Sequence, residues 1–564
     1  MVDRMALPGT IPFPKEFVER YYRNRWWLGI TIGEMLDRSA DLYFYKEALV
    51  AGKVRLTYRE LQDRVNRTAL AFLQLGIQKL DRVLLQLPNW AEFVYAYYGL
   101  QKIGAIPVMC IPRFSQREVE HFCRVTEAKG WVVPRRFEKM DYLPMIEEIR
   151  KQSFSPKFIL VVESEEEKTA LPEGAQSFHH LLEEIDVRKY SKEDLFRFRP
   201  DPEEICHLMP TGGSTGLPKL VPRTHNDFFC NFDYRAKVWE RTPRDVTLIA
   251  TPITHNMAIE VSLNPTLLYG GKVVLIPSTR AKEILEAIER ERVTHTILVV
   301  AQLQQIVEDP DLKRYDLSSL KVIAGAGSHV PPDLIKKIYE RIGCKFYNVF
   351  GMSEGPCAQT RLDDPEEVVL HTVGWPICPY DEFKVIDSKG RALPPGMEGE
   401  LVARGPCIFR GYYKAEEENR EAFTEDGFFK TGDIAKFDSE GRLIITGRKK
   451  DIIIRGGENI SAKEVEELIS SHPKVDQVAV VGMPDPILGE RVCAFLKPRG
   501  NEIITFEEIL SFLKEKKTSV LYLPERIEII DEIPLTNVGK VDKKRLRQWI
   551  VEKLIQEGKM KTDG

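Results

Sequence analysis

Short β-rich runs alternate with amphipathic helical stretches from Leu56 to Ile342. Leu61, Val65, Ala69, Phe72 and Leu73 recur at helical spacing within Leu56–Leu75. Arg82–Leu87 is β-rich, Glu92–Ile103 is helical, and Ile106–Ile111 reads as a buried strand. The alternation returns at Lys272–Ile276 (strand), Ala281–Arg292 (helix), His295–Val300 (strand), Lys321–Ala324 (strand) and Pro332–Ile342 (helix). Such alternation favours a parallel sheet covered by helices, an α/β fold.

The texture changes near Asp381. Phe383–Ile386, Gly399–Val402 and Leu443–Thr446 are short runs cut by Gly, Pro and Asp, the mark of antiparallel structure. After Gly447-Arg448-Lys449-Lys450-Asp451 it changes again: Ala462–Ser471 (helix), Val475–Val481 and Arg491–Pro498 (strands), Phe506–Lys516 (helix) and Arg526–Ile530 (strand). This predicts a small α+β C-terminal domain, with the boundary in the charged segment: 1–449 and 450–564.

Lys and Arg number 81 and Asp and Glu 85, a net charge of −4, which argues against a nucleic-acid binder. The N-terminus lacks a basic start followed by an apolar run, and no apolar stretch is long enough to span a bilayer. Nine cysteines are widely spaced, odd in number and without a CxxC pair. The expectation is a cytoplasmic protein with scattered reduced thiols, and neither a disulfide framework nor a thiolate metal site.

Five segments carry chemistry. Thr211-Gly212-Gly213-Ser214-Thr215-Gly216-Leu217-Pro218-Lys219 combines close backbone approach, hydroxyl donors and a cation, which suits a polyphosphate. It is not a Walker A loop, because the spacing before the Lys differs. Asn348-Val349-Phe350-Gly351-Met352-Ser353-Glu354-Gly355 sets a ring beside glycines, and a carboxylate suited to a hard cation. Phe428–Asp433 places a carboxylate on a tight turn. The fourth is Gly447–Asp451 followed by Arg455-Gly456-Gly457-Glu458. The fifth, Pro534–Lys540, puts a Lys on a Gly-containing loop, where it can meet developing negative charge.

Together and in this order, the five segments resemble the adenylate-forming (ANL) superfamily of acyl-CoA synthetases, peptide-synthetase adenylation domains and luciferases. The resemblance runs from about Thr31 to Leu554. Leu87-Pro88-Asn89, Phe122-Cys123, Pro222-Arg223-Thr224-His225, His255-Asn256, Arg361–Glu367 and Arg410–Glu416 resemble the aryl-acid–AMP ligases within it. The resemblance implies stacked, mostly parallel sheets, a β-barrel-like subdomain and a mobile C-terminal domain. It also implies two half-reactions: a carboxylate attacks the α-phosphate of ATP and expels pyrophosphate, then a thiol attacks the acyl carbon and expels AMP.

It further implies roles. Thr211, Gly212, Gly213, Ser214, Thr215 and Gly216 hold the terminal phosphates, with Lys219 nearby. Ala326, Gly327, Asn348, Val349 and Phe350 line the adenine, and Gly351, Met352 and Ser353 continue the nucleotide segment. Asp433 takes the ribose hydroxyls, and Arg448 assists. Glu354 with Thr215 holds Mg²⁺. Lys540 bridges the carboxylate and the α-phosphate. Lys450 is the hinge that withdraws it and brings Gly456 and Gly457 to the thiol tunnel.

His255 and Asn256 stand where aryl-acid enzymes contact the carboxylate and ring. In catechol-type enzymes an Asn binds the 2-hydroxyl and a Ser five residues on serves the other hydroxyl. Here that later position is Val261, Met257 replaces a Tyr and Cys357 a Val; Gly327 and Ser328 complete the lining. Having lost a hydroxyl donor, the pocket is expected to reject a catechol acid, since an unpaired buried polar group costs roughly 1–3 kcal/mol. A benzoate- or cyclohexanecarboxylate-like acid fits better, and Asn256 keeps salicylate open. The expected activity is a reversible AMP-forming acyl-CoA synthetase using ATP, Mg²⁺ and CoA, as a monomer or homodimer. The alternatives are a ligase loading a carrier-protein pantetheine and a catalytically inactive nucleotide-binding protein.

Overall fold

The structure is a computed structural model describing residues 5–163, 170–186, 190, 192–211, 218–327, 329–455, 458–485, 488–516, 522–536 and 539–559. It divides into two compact units. The first comprises Met1–Leu370, Gly374–Glu382 and Ala403–Phe429; the second comprises His371–Val373, Phe383–Val402 and Lys430–Gly564. The position expected for a hinge, Lys450, falls inside the second unit.

The first unit holds two large sheets. The nine-stranded sheet has a parallel centre: Lys345–Gly351, Val322–Ala326, His295–Val299, Val246–Ile249, Lys272–Leu275 and Glu47–Ala51, in that spatial order. Its edges are antiparallel, with Cys357–Gln359 and Trp375–Pro376 at one end and Val54–Thr57 at the other. The seven-stranded sheet is parallel from Ile205–Pro210 to Ala175–Ser177 and closes with the antiparallel strand Leu220–Thr224. The helices expected from sequence occur as Tyr58–Gln74, Ala91–Lys102, Ala281–Glu291 and Pro332–Arg341. Their apolar stripes fill the core: Leu248, Val274, Ile288, Leu298, Ile323 and Ile335 form one buried cluster. Burial of each such side chain contributes about 1.5–3 kcal/mol.

The second motif begins on a strand: Lys345–Gly351 carries Asn348, Val349 and Phe350.

A four-stranded sheet, Glu382–Ile386, Gly399–Arg404, Phe429–Phe437 and Leu443–Arg448, accounts for the antiparallel region and lies mostly in the second unit. The rest of that unit is a five-stranded sheet with helices on both faces. Strand alternation decides which residue meets which helix. Val480 packs with Val465, Ile469 and Ile509, whereas Ala479 and Val481 pack with Leu546 and Ile550. No helix among the described residues is long and apolar enough to cross a membrane.

In the first unit, His225 opens the helix His225–Val238, and its buried Nδ1 accepts a hydrogen bond from the Ile32 N–H at 3.1 Å. Burial, helped by the Arg199 charge, lowers its pKa from 6.5 to about 3. A depressed histidine contributes stability that is present above its unfolded value and lost as pH falls below it. The unfolding free energy measured in urea should therefore decline from about pH 6.5 downward, and His225→Gln should flatten that decline. An unchanged pH profile in the variant would count against the assignment.

Candidate active site

Thr211 and Lys219 bracket the connection between two paired strands. Strands Ile205–Pro210 and Leu220–Thr224 pair antiparallel, and the Thr211 N–H donates to the Lys219 carbonyl at 2.8 Å. The expected phosphate residues Gly212, Gly213, Ser214, Thr215 and Gly216 lie between these anchors, outside the described residues. The Lys219 ammonium sits 5.0 Å from the centre of the Tyr412 ring and 3.9 Å from Glu418. On its other side, the Tyr412 hydroxyl donates to Glu354 Oε1 at 2.9 Å. The structure thus joins Lys219 and Glu354, far apart in sequence, through Tyr412. The sequence reading passed over Tyr412, although it lies within the matching stretch Arg410–Glu416.

The Glu354 backbone is held as well. Its carbonyl accepts from the Phe409 N–H at 2.9 Å, and the next carbonyl, of Gly355, accepts from Asn231 Nδ2 at 2.9 Å. Gly355 has φ +113°, and a Cβ there would lie 2.0 Å from the Cys407 carbonyl oxygen, so only glycine fits. Ala326 ends a central strand, and Gly327 turns off it with φ +90°. Asn348 is buried. Its N–H donates to Thr360 Oγ1 at 3.0 Å and its side chain to the Val369 carbonyl at 3.3 Å. Phe350 is half-buried, so its ring is not consumed by the core, while Gly351 is exposed and Met352 and Ser353 are partly so.

Around the expected acid pocket, His255 caps the short helix Asn256–Ala258, its Nδ1 accepting from the Met257 N–H. A π-helical turn, Ile259–Leu263, follows; the wider turn changes the phase of the side chains it carries, among them Glu260 and Val261. Met257 and Val261 pack in one cluster with Ala326, Val349 and Trp239, so the residues expected to touch the ring and the adenine do meet. Asn256 is buried, and its Oδ1 has no hydrogen-bond partner among the described residues. Cys357 Sγ lies 3.9 Å from Glu260 Oε2, and burial, reinforced by that carboxylate, pushes its thiol up to about 12. Ser328 lies outside the described residues.

Beneath these residues is a polar ladder the sequence reading missed. Arg235 Nε pairs with Glu260 at 3.1 Å, and Arg235 and Trp239 both donate to Gln359 Oε1. A lone Glu in the apolar run Met257–Leu263 was the available signal.

In the second unit, antiparallel pairing places Asp433 opposite Arg448, and the two form an ion pair at 2.7 Å. Asp433 is 2% exposed, and its Oδ2 has no hydrogen-bond partner among the described residues. Burial raises its pKa, against the charges of Arg448, Lys540 and Lys450. Those four residues therefore share one neighbourhood. Lys540 closes a tight loop: its N–H donates to Thr536 Oγ1 at 3.2 Å, and its carbonyl accepts from the Thr536 N–H at 2.6 Å. The Lys450 carbonyl accepts from Arg547 at 3.1 Å, and burial with the Arg448 charge lowers the Lys450 pKa. Gly456 and Gly457 lie outside the described residues.

Taken unit by unit, the first offers a buried amide with a spare acceptor among the described residues and a lysine beside a glycine-rich segment, and the second a buried carboxylate with a spare oxygen among the described residues beside a lysine loop. Residues 36–413 match the AMP-binding enzyme family, and residues 464–540 match the AMP-binding enzyme C-terminal domain. The chain is 38% identical over 550 residues to 2,3-dihydroxybenzoate-AMP ligase of Bacillus subtilis, covering 97% of this chain and 99% of that one. It is 34% identical to salicyl-AMP ligase / salicyl-S-ArCP synthetase of Mycobacterium tuberculosis, covering 96% and 94%. The apo structure of Mycobacterium smegmatis MbtA superposes with a TM-score of 0.72 at 32% identity, covering 96% of this chain and 98% of that one. The chain is a member of the adenylate-forming superfamily of AMP-binding enzymes, and an acid-activating ligase.

Proposed function

We propose that the protein activates an aromatic carboxylic acid bearing one ortho hydrogen-bond donor, with salicylate the simplest, and passes it to a carrier-protein phosphopantetheine. The observation that carries the acid is the buried Asn256 Oδ1, without a hydrogen-bond partner among the described residues and beside apolar Met257 and Val261. It offers one acceptor to a ring hydroxyl. This narrows the sequence expectation: a cyclohexanecarboxylate-like acid leaves that oxygen orphaned. The acceptor is revised from free CoA to a carrier. Relatives named as aryl-acid–AMP ligases, one of them also as a salicyl-S-ArCP synthetase, support the alternative over the first choice.

In this reading, Asp433 Oδ2 accepts the ribose hydroxyls, and the Asn348–Phe350 strand with Ala326–Gly327 borders the adenine. Thr211 and Lys219 flank the terminal phosphates, and His255 orients the carboxylate. Glu354 presents a carboxylate, the donor type a hard cation such as Mg²⁺ prefers, and the Tyr412 hydroxyl holds its Oε1 at 2.9 Å. When bound, Mg²⁺ neutralises phosphate charge. Lys540 stabilises the charge that develops as the carboxylate attacks the α-phosphate. Its departure, with rotation at Lys450, admits the thiol.

A panel of acids in ATP–pyrophosphate exchange tests the pocket. Salicylate should exceed both benzoate and 2,3-dihydroxybenzoate in kcat/KM by about 5–100-fold, the worth of one satisfied buried hydrogen bond. A preference for 2,3-dihydroxybenzoate would overturn the pocket. Thioester formation on free CoA as fast as on a carrier protein would overturn the acceptor.

A further inference from the structure

All nine cysteines are free and buried, but they are not scattered as expected. Cys230, on the helix His225–Val238, meets Cys378 and Cys407 from two later loops, and the three Sγ atoms lie within 4.8 Å of one another. Cys230 and Cys407 are 177 positions apart, yet their sulfurs are 3.5 Å apart. Beside them is Asp381, 7% exposed. Its Oδ1 accepts the Cys407 N–H at 3.1 Å, and the carboxylate meets the Cys407 thiol, while Oδ2 has no hydrogen-bond partner among the described residues. We propose that Cys230, Cys378 and Cys407 form a three-thiolate structural site for a soft divalent cation of the Zn²⁺ class, with the Asp381 carboxylate, in contact with Cys407 but outside the close sulfur cluster, as the neighbouring group that would complete the coordination.

The donor set decides the chemistry. In a tetrahedral site with Zn–S bonds of about 2.3 Å, sulfurs stand about 3.8 Å apart, close to the separation found here. A disulfide needs about 2.05 Å and uses two sulfurs, which leaves the third thiol and the spare carboxylate oxygen unexplained. Three thiolates and a carboxylate select Zn²⁺ over Mg²⁺ or Ca²⁺. On loading, the thiols release their protons to solvent.

The surroundings suit a buried anionic complex. Tyr21 and Trp27 wall the cluster with Phe13, Phe17 and Trp26, which excludes water. Arg223, fully buried, donates to the Cys407 carbonyl at 2.8 Å. Tyr21 feels the charges of Arg20, Arg404 and Arg410 as well as Asp381, so cationic groups lie close to the wall of the cluster.

The site lies directly behind the nucleotide segment. The Cys407 carbonyl faces Gly355, and Asn231, next to Cys230, donates to the Gly355 carbonyl. A cation here staples three distant pieces of chain and fixes the backbone that carries Glu354. It is a positioning site with no part in the chemistry.

The test uses the full chain, purified reduced and without chelator, loaded with excess Zn²⁺, desalted and assayed for metal by mass spectrometry. About one Zn²⁺ per chain should remain. Cys378→Ser should retain at least ~10-fold less, and Cys344→Ser, a buried thiol elsewhere, should retain it in full. Titrating the unsubstituted protein with Co²⁺ should give a thiolate charge-transfer band and intense visible bands of a tetrahedral site. That measurement decides even if Cys378→Ser does not fold. Background Zn²⁺ with no cobalt–thiolate band would overturn the proposal. So would equal retention by the two variants, or a Cys230–Cys407 disulfide formed in protein that takes up no metal.

Discussion

Lys540→Ala should lower the rate of acyl-adenylate formation by about 10²–10³-fold while largely sparing thioester formation from preformed acyl-AMP. The magnitude is that of removing one preorganised charge-stabilising donor, roughly 2.7–4 kcal/mol. The split follows from timing. Nucleophilic attack at the α-phosphorus occurs only in the first half-reaction, and in the proposed sequence Lys540 has left before the thiol attacks the acyl carbon, so its charge lowers only the first barrier. Both Lys540 backbone polar groups are tied to Thr536, and its charge bears on the buried Asp433, which supports the proposed placement. Pyrophosphate exchange reads the first step, and mixing isolated acyl-AMP with the thiol reads the second. Equal loss in both would overturn the assignment. Lys450→Pro should show the opposite split, because proline fixes φ at the residue proposed to rotate. Adenylation should survive and thioester formation fail.

The second large effect is on stability. Arg223→Met should cost about 3–5 kcal/mol in urea unfolding, the range for a buried ion pair that loses one partner. Arg223 and Asp227 are both essentially inaccessible, and the pair is 2.9 Å apart. The same guanidinium donates to the Ser353 carbonyl at 2.9 Å and to the Cys407 carbonyl at 2.8 Å. One side chain thus ties the strand Leu220–Thr224 to the segment carrying Glu354 and to the loop carrying Cys407. Its loss strands a buried carboxylate and two carbonyls. Removing both charges, as Arg223→Met with Asp227→Leu, should recover part of the loss, because no unpaired charge remains. A single-variant cost below about 1 kcal/mol would show that the pair is dispensable.

Much of the fold was legible because it is local. The helices Tyr58–Gln74 and Ala281–Glu291 and the strands Arg82–Leu85 and His295–Val299 follow from apolar spacing alone. The family was legible because the five segments stand together and in order along the chain. Less legible was what each polar side chain would find. Arg235 reaches Gln359 across 124 positions, and Tyr412 joins Lys219 to Glu354. Nothing near those residues marks their partners.

The sequence by itself determined the strand–helix alternation, the antiparallel insert and, through five segments standing in order, membership of the AMP-binding family. Only the tertiary structure decided that, among the described residues, Asn256 keeps an acceptor without a partner and Asp433 faces Arg448 with an oxygen to spare, and that Cys230, Cys378 and Cys407 meet beside Asp381. Local propensity sets the type of each element, but strand order and crossover connections set which distant residues become neighbours. Cysteines at positions 230, 378 and 407 read as unrelated thiols until three separate pieces of chain carry them to one point.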